Sequence, residues 1–185
     1  MVTVRLEFTP NPNTLKFVID GEFLPQGAVN FTQSSQALMS PLGQRLFRVP
    51  GVQAVMVGKN FITITKAADG NWDILADEVP IAIQAHVESK EKAFDEKWLE
   101  DYMAVGKSSG SDIEKRIKEV LDTEIRPAVA MDGGDIVFSR YDNGIVYLNL
   151  QGACSSCPSS IATLKMGVES RLKEVIPEIK EVVQV

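Results

Sequence analysis

Residues 151–160 read QGACSSCPSS and contain both cysteines of the chain, Cys154 and Cys157. The run before them, residues 145–150, is rich in β-branched and aromatic residues, which predicts a strand. Pro158 suits the first position of a helix, because the backbone N–H that proline lacks would have no intrahelical partner there. The sequence therefore predicts that the two cysteines lie in a turn between a strand and a helix.

The segment after Pro158 has the apolar spacing of a helix with one buried face. Its apolar residues recur at spacings of three and four, at Ile161, Leu164, Val168, Leu172, Val175 and Ile176. Cys157 is then expected at or beside the N-cap of this helix, where unpaired backbone N–H groups and the helix dipole favour a negatively charged sulfur. Both thiols are candidates for thiolates at neutral pH.

Composition limits the class of protein. With 185 residues, of which 44% are hydrophobic and 24% are charged, the chain suits two small domains with modest cores. No apolar run approaches the roughly 20 residues that a membrane span needs, and residues 2–8 alternate like a strand instead of forming a signal peptide. The net charge of −6, without a cluster of lysine and arginine, argues against a nucleic-acid partner. We therefore expect a soluble, intracellular protein with no membrane partner.

Residues 1–88 are interpreted as an α+β domain. The predicted strands and helices follow from alternating apolar runs, turn residues and helix-start signals. The strands are expected over residues 2–8, 14–19, 28–32, 52–57 and 61–65, and the helices over 41–49 and 72–87. Pro80 is expected to start or kink a turn within the second helix. His86 is expected to have a structural role, because no other metal-ligating residues neighbour it in the sequence.

Residues 89–111 change in composition and end in a run of glycine and serine, which predicts a linker with room for a short helix. Ser111 and Glu114 then form the capping-box pattern at the start of an amphipathic helix. Pro127 is expected to end or bend that helix. The second domain is thus expected over residues 112–185.

The remainder of this domain predicts a compact sheet. Asp142-Asn143-Gly144 favours a tight hairpin between strands over residues 136–141 and 145–150. The cysteine turn and its helix follow, and residues 179–185 predict a third strand. The order helix, strand, strand, helix, strand makes an α+β unit with both helices on one face of a three-stranded sheet.

The cysteine pair alone is compatible with several chemistries. A dithiol–disulfide oxidoreductase would need a flanking βαβ context that the sequence lacks. A structural zinc or a closed iron–sulfur site normally needs four ligands, and one chain offers two cysteines with no histidine near them. Two copies related by a two-fold axis would supply four thiolates, for an iron–sulfur cluster or for a bridging zinc. A cluster held at such an interface between two copies could be transferred to another protein, which favours a carrier over a redox enzyme.

Three parts of the chain resemble a known family. Asp132-Gly133-Gly134-Asp135, the hairpin that runs to Leu150 and the cysteine motif at 151–160 together closely resemble the C-terminal domain of NifU-like (Nfu-type) iron–sulfur cluster proteins. Residues 8–17, FTPNPNTLKF, resemble the N-terminal domain of the same branch. We interpret residues 132–135 as backbone turn and helix-end residues, and not as ligands.

The resemblance implies a scaffold or carrier with no enzymatic turnover of its own. It implies a [4Fe–4S] cluster, with a [2Fe–2S] form left open, that Cys154 and Cys157 bind and that two protomers share. The implied partners are a second copy on cluster binding, an upstream cluster donor and apo-proteins that receive the cluster. A bacterial cytosol is implied or, for a processed chain, the mitochondrial matrix, since no Arg-rich transit peptide precedes Val2.

Overall fold

The computed structural model describes residues 2–105, 110–155 and 158–185, with the backbone alone at 105 and at 158–161. The chain divides into two units, Met1–Ser108 and Ser109–Val185, and each has its own hydrophobic core. Both units mix helices with a sheet, which confirms the predicted α+β class in two small domains. Among the described residues, no helix has the length and apolar character required to cross a membrane.

The first unit is built on an antiparallel sheet of five strands in the order β1-β2-β5-β4-β3. The strands are Val4–Phe8 (β1), Thr14–Ile19 (β2), Val29–Phe31 (β3), Val52–Val57 (β4) and Phe61–Lys66 (β5). The helices are Pro41–Phe47 (α1), Trp72–Glu88 (α2) and Glu96–Val105 (α3), and a 3-10 segment at Ser34–Met39 was not predicted. The predicted strands and the first two helices are confirmed.

Two prolines have different effects on the helices of this unit. Pro41 follows the N-cap Ser40, whose side chain accepts a hydrogen bond of 2.9 Å from the N–H of Gly43, so α1 begins where the sequence predicts. Pro80, in contrast, lies inside α2, which continues through it as one helix. Val79 and Ile83 on either side are fully buried. Packing of this face offsets the hydrogen bond that Pro80 cannot donate.

Part of the segment predicted as a linker packs on the core of the first unit. Phe94 is buried, and its ring centroid lies 6.4 Å from that of Phe31 and 6.0 Å from that of Trp98 in α3. Ser40 also donates a hydrogen bond of 2.7 Å to the carbonyl of Ala93. Aromatic packing therefore fixes the chain after α2 against the first sheet.

The second unit has a three-stranded sheet in the order β6-β7-β8. Its strands are Gly134–Asp142 (β6), Ile145–Gly152 (β7) and Glu181–Gln184 (β8), and its helices are Asp112–Val120 (α4), Arg126–Met131 (α5) and Pro158–Val175 (α6). The β6–β7 pair is antiparallel and the β7–β8 pair is parallel. A parallel neighbour needs a long crossover connection, and α6 supplies it.

Both helical layers cover the same face of this sheet, as predicted. Every second residue of β7 is buried, and three of these, Val146, Leu148 and Leu150, share one core with Ile117 of α4 and Leu172 of α6. The predicted local signals are also present. Ser111 and Glu114 form a reciprocal capping box, and Asn143 and Gly144 have φ angles of 48° and 94°, as a tight hairpin turn requires.

Pro127 does not end the first helical segment of this unit. A π-helical turn, Leu121–Ile125, joins α4 to α5, and the N–H of Arg126 donates to the carbonyl of Leu121, five residues back. Pro127 follows directly, in the first turn of α5. Pro127 cannot donate a backbone hydrogen bond, and the wider π turn accommodates this. The helical segment therefore continues to Met131.

His86 is buried in the first unit. It is 1% exposed, and neither ring nitrogen has a hydrogen-bond partner among the residues that the structure describes. Burial lowers the pKa of the imidazole below its ordinary value, the nearby Arg45 lowers it further, and Glu91 opposes both. His86 is therefore held as the neutral form in the folded protein.

We predict that mild acid destabilises the first unit through His86. Because the folded-state pKa lies below the unfolded value of 6.5, the unfolded state binds more protons just below that pH. The contribution of His86 to the free energy of unfolding should therefore be fully present above that pH and decrease as the pH falls through it. Urea unfolding followed by tryptophan fluorescence measures this, since Trp72 and Trp98 both lie in the first unit. His86→Leu should flatten the pH dependence, and an unchanged slope in this variant would contradict the prediction.

Candidate metal centre at the cysteine turn

Cys154 lies in a short turn between the central strand and a long helix. β7 ends at Gly152, which has a φ angle of 62°, and a single 3-10 turn, Ala153–Ser155, follows. α6 then begins at Pro158. The predicted order of strand, cysteine turn and helix is therefore present for Cys154. Cys157, the second predicted ligand, lies outside the described residues.

Backbone hydrogen bonds attach this turn to the loop before β6. The N–H of Ala153 donates to the carbonyl of Gly133 at 3.1 Å. Within the turn itself, the hydroxyl of Ser155 donates to the carbonyl of Gly152 at 2.8 Å. In the antiparallel ladder, Gly134 pairs with Gly152. The cysteine turn and the glycine loop thus form one structure at the end of the β6–β7 hairpin.

Gly134 leaves the space that the side chain of Cys154 occupies. A Cβ added at Gly134 would overlap Sγ of Cys154, and it would lie 3.1 Å from the Cβ of Cys154 and 3.2 Å from the carbonyl oxygen of Gln151. Gly133 has a φ angle of 76°, which favours glycine for a different reason, the left-handed backbone. The turn interpretation of residues 132–135 accounts for Gly133, but no sequence pattern predicts the contact between Gly134 and Cys154.

Asp135 forms a buried ion pair with Arg126. Its carboxylate accepts hydrogen bonds of 2.8 and 2.7 Å from Nε and Nη2 of Arg126, and a third of 2.9 Å from the N–H of Ile136. Burial lowers the pKa of the Arg126 guanidinium, but hydrogen bonds to Asp135 and Asp122 raise the pKa by more, so that it ends above its ordinary value. The pair joins the start of α5 to the start of β6.

Cys154 also lines an apolar groove of about 540 Å³, which we call the helix groove. One wall is formed by Ile125, Ala128 and Val129, and the other by Leu164, Gly167 and Val168, while Glu124, Asp132 and Thr163 add polar groups to the lining. Cys154 itself is 6% exposed. Cys154 is therefore a nearly buried residue that forms part of the lining of a concave site.

The described part of the chain does not complete a metal site at this thiol. Within it, no group of three or more histidine, cysteine, aspartate or glutamate residues could hold a metal ion. Further thiolate ligands to a metal bound by Cys154 would therefore have to come from Cys157 or from another chain.

Two family models together match about five-sixths of the chain. Residues 117–183 match the NifU-like domain, and residues 4–90 match the N-terminal domain of the scaffold proteins Nfu and NifU. The chain is also similar, at 44% identity, to a Drosophila virilis protein named NFU1 iron-sulfur cluster scaffold homolog, mitochondrial. The human protein of the same name is 39% identical.

The aligned regions cover 98% of this chain in both cases, but 61% of the Drosophila virilis protein and 71% of the human protein. A solution NMR structure of a NifU-like protein from Saccharomyces cerevisiae covers 52% of this chain and 87% of its own, at 25% identity and a TM-score of 0.47. The chain belongs to the Nfu-type family of NifU-like proteins, in which an N-terminal Nfu domain precedes a C-terminal NifU domain.

We predict opposite effects of alanine at two glycines of the second unit. Gly134→Ala should lower its free energy of unfolding by about 1–3 kcal/mol, because the new methyl overlaps the thiol of Cys154. Gly167→Ala is the matched control and should raise it by up to about 1 kcal/mol, because Gly167 lies within α6 and an added Cβ meets no atom within 4 Å. Urea unfolding followed by far-ultraviolet circular dichroism measures both. Equal effects of the two substitutions would contradict the steric role of Gly134.

A second prediction compares the two carboxylates that bind Arg126. Asp135→Asn should destabilise the second unit by about 3 kcal/mol, because it leaves the buried part of the guanidinium without its charged partner. Asp122→Asn should cost less than about 1 kcal/mol, since the Asp122 side chain is 59% exposed. The same unfolding experiment measures both. Tryptophan fluorescence gives a separate measurement of the first unit, which contains both tryptophans.

Proposed function

We propose that this protein is an iron–sulfur cluster scaffold or carrier that binds its cluster through Cys154 and Cys157. The observation that carries the proposal is the position of Cys154, which is held in a fixed strand-to-helix turn and lines a concave apolar surface. The names of the curated relatives, which describe iron-sulfur cluster scaffolds, support this function. The cluster is then cargo that the protein takes up and delivers.

The cluster is proposed to be [4Fe–4S] and to be shared by two protomers. A cubane cluster is normally held by four cysteine thiolates, and the chain has two cysteines. A two-fold axis through the cluster would bring both pairs to it. A [2Fe–2S] cluster also takes four thiolates, so the ligand count is compatible with either form.

The start of α6 would favour thiolates at this position. α6 has 18 residues and begins at Pro158, the residue that follows Cys157 in the sequence. The first N–H groups of such a helix carry a partial positive charge, which lowers the pKa of a neighbouring thiol. Deprotonated thiols are the form that binds iron.

In this proposal the protein has no catalytic turnover and acts through its partners. It would receive a cluster from an upstream donor and pass it to apo-proteins, because ligands that come half from each protomer can be exchanged one protomer at a time. The two relatives reported above are named as mitochondrial, which supports the matrix over the bacterial cytosol.

Anaerobic reconstitution with iron and sulfide tests the proposal. Wild-type protein should take up about four iron and four sulfide per two chains, and it should elute as a larger species on gel filtration once loaded. Cys154→Ser should lose most of this iron. Ser170→Ala is the control, because it removes an exposed hydroxyl from α6 without removing a thiol or a hydrogen bond of the cysteine turn.

Two results would reject the proposal. One is equal iron loading by wild type and Cys154→Ser. The other is reduction of insulin disulfides by the metal-free monomer together with no cluster uptake, which would favour a dithiol oxidoreductase. Elemental analysis of the protein as purified distinguishes a zinc-bridged dimer from both.

A further inference from the structure

Gly167 is a glycine that the second unit does not itself require. It lies in the interior of α6, is exposed and lines the helix groove. A Cβ at this position would meet no atom within 4 Å. Glycine within a helix is less stable than alanine there, so the unit would gain stability from a side chain at this position. Because position 167 has no side chain, another molecule could approach the backbone of α6 closely there.

In the proposed function, the molecule that must approach this groove is a second copy of the chain. Cys154 and Gly167 line the same groove, and Gly167 lies nine residues beyond the start of α6, or about 14 Å along the helix axis. If Cys154 binds a cluster that a second copy shares, the surface of that copy has to stand at the mouth of the groove. The interface around the cluster would then extend along α6.

The surface around the groove suits contact with a copy of itself. Met131, which directly precedes the lining residue Asp132, is a large apolar side chain that is 75% exposed. Two carboxylates line the groove. Glu124 is paired with Arg171 at 2.6 Å, so that its charge is compensated within the unit, and Asp132 is exposed to solvent. In a two-fold dimer the same patch meets on both sides, so the apolar lining residues and Met131 of one copy would face those of the other.

We propose that the helix groove is the docking surface for the second copy in the cluster-bridged dimer, and that Gly167 permits its close approach along α6. This inference rests on the proposed function, because a second copy is required only if the cluster is shared. The proposed surface lies between the helical segment 121–131 and α6, and Gly167 controls access to it.

Gly167→Leu tests the proposal in the full-length, anaerobically reconstituted protein. The leucine side chain has space in the folded monomer, because a Cβ at this position meets no atom within 4 Å. The midpoint of thermal unfolding of the metal-free protein should therefore be no lower than that of wild type. Sedimentation velocity should nevertheless give a dissociation constant of the loaded dimer that is raised about tenfold or more, because the side chain fills the groove. Ala162→Leu is the matched control. It adds the same bulk at an exposed position of α6 that does not line the groove, and it should dimerise as wild type does.

Met131→Gln is a second test that does not depend on the leucine. Met131 is 75% exposed, so its replacement should leave the fold intact and still weaken the loaded dimer. Wild-type dimerisation by Gly167→Leu would overturn the inference. If Gly167→Leu dimerises as wild type does but transfers its cluster to an apo-protein more slowly, the inference is also overturned, and the groove is assigned to a client protein.

Cys154→Ser, run in parallel, separates the two proposals. If this variant loads and dimerises as wild type does, the proposed function fails, and the docking surface fails with it. If Cys154→Ser loses both properties while Gly167→Leu keeps both, only the docking surface fails.

Discussion

The second unit depends on a contact between a thiol and a backbone. The side chain of Cys154 fills the space where any residue other than glycine at position 134 would carry its Cβ. This contact brings the cysteine turn against the start of β6, and the hydrogen bond from Ala153 to Gly133 holds it there. The cysteine is therefore fixed by van der Waals packing and by the backbone, before any metal binds.

The ion pair between Arg126 and Asp135 extends this structure to the helices. Asp135 follows Gly134 directly, so the strand start that packs against Cys154 also binds the first residue of α5. The π-helical turn before Arg126 places Pro127 where its missing N–H costs no regular hydrogen bond. The result is a fixed wall opposite α6, and the helix groove lies between the two. The chemistry of the turn and the shape of the groove therefore depend on the same few residues.

Much of this architecture follows from patterns local in the sequence. The capping box at Ser111, the hairpin at Asn143-Gly144 and the start of α6 at Pro158 are each specified by a few adjacent residues. The alternating residues of β7 likewise predict which of its faces is buried. Interactions within a turn, or between neighbours on a strand or helix, are enough to specify such elements. The exceptions are Pro80 and Pro127, where tertiary packing and a π turn allow a helix to continue past a residue that usually ends it.

The sequence by itself determined the class of fold, the order of the elements in the second unit and the placement of Cys154 in a turn before a helix. Only the tertiary structure decided that Gly134 makes room for the thiol, that Asp135 pairs with Arg126, that His86 is buried without partners for its ring nitrogens among the described residues, and that Gly167 opens onto a groove. The physical reason is the range of the interactions. Caps and turns are made by residues adjacent in the chain, whereas these contacts join residues that approach only when strands pair and helices pack, and no pattern along the sequence specifies which atoms then meet.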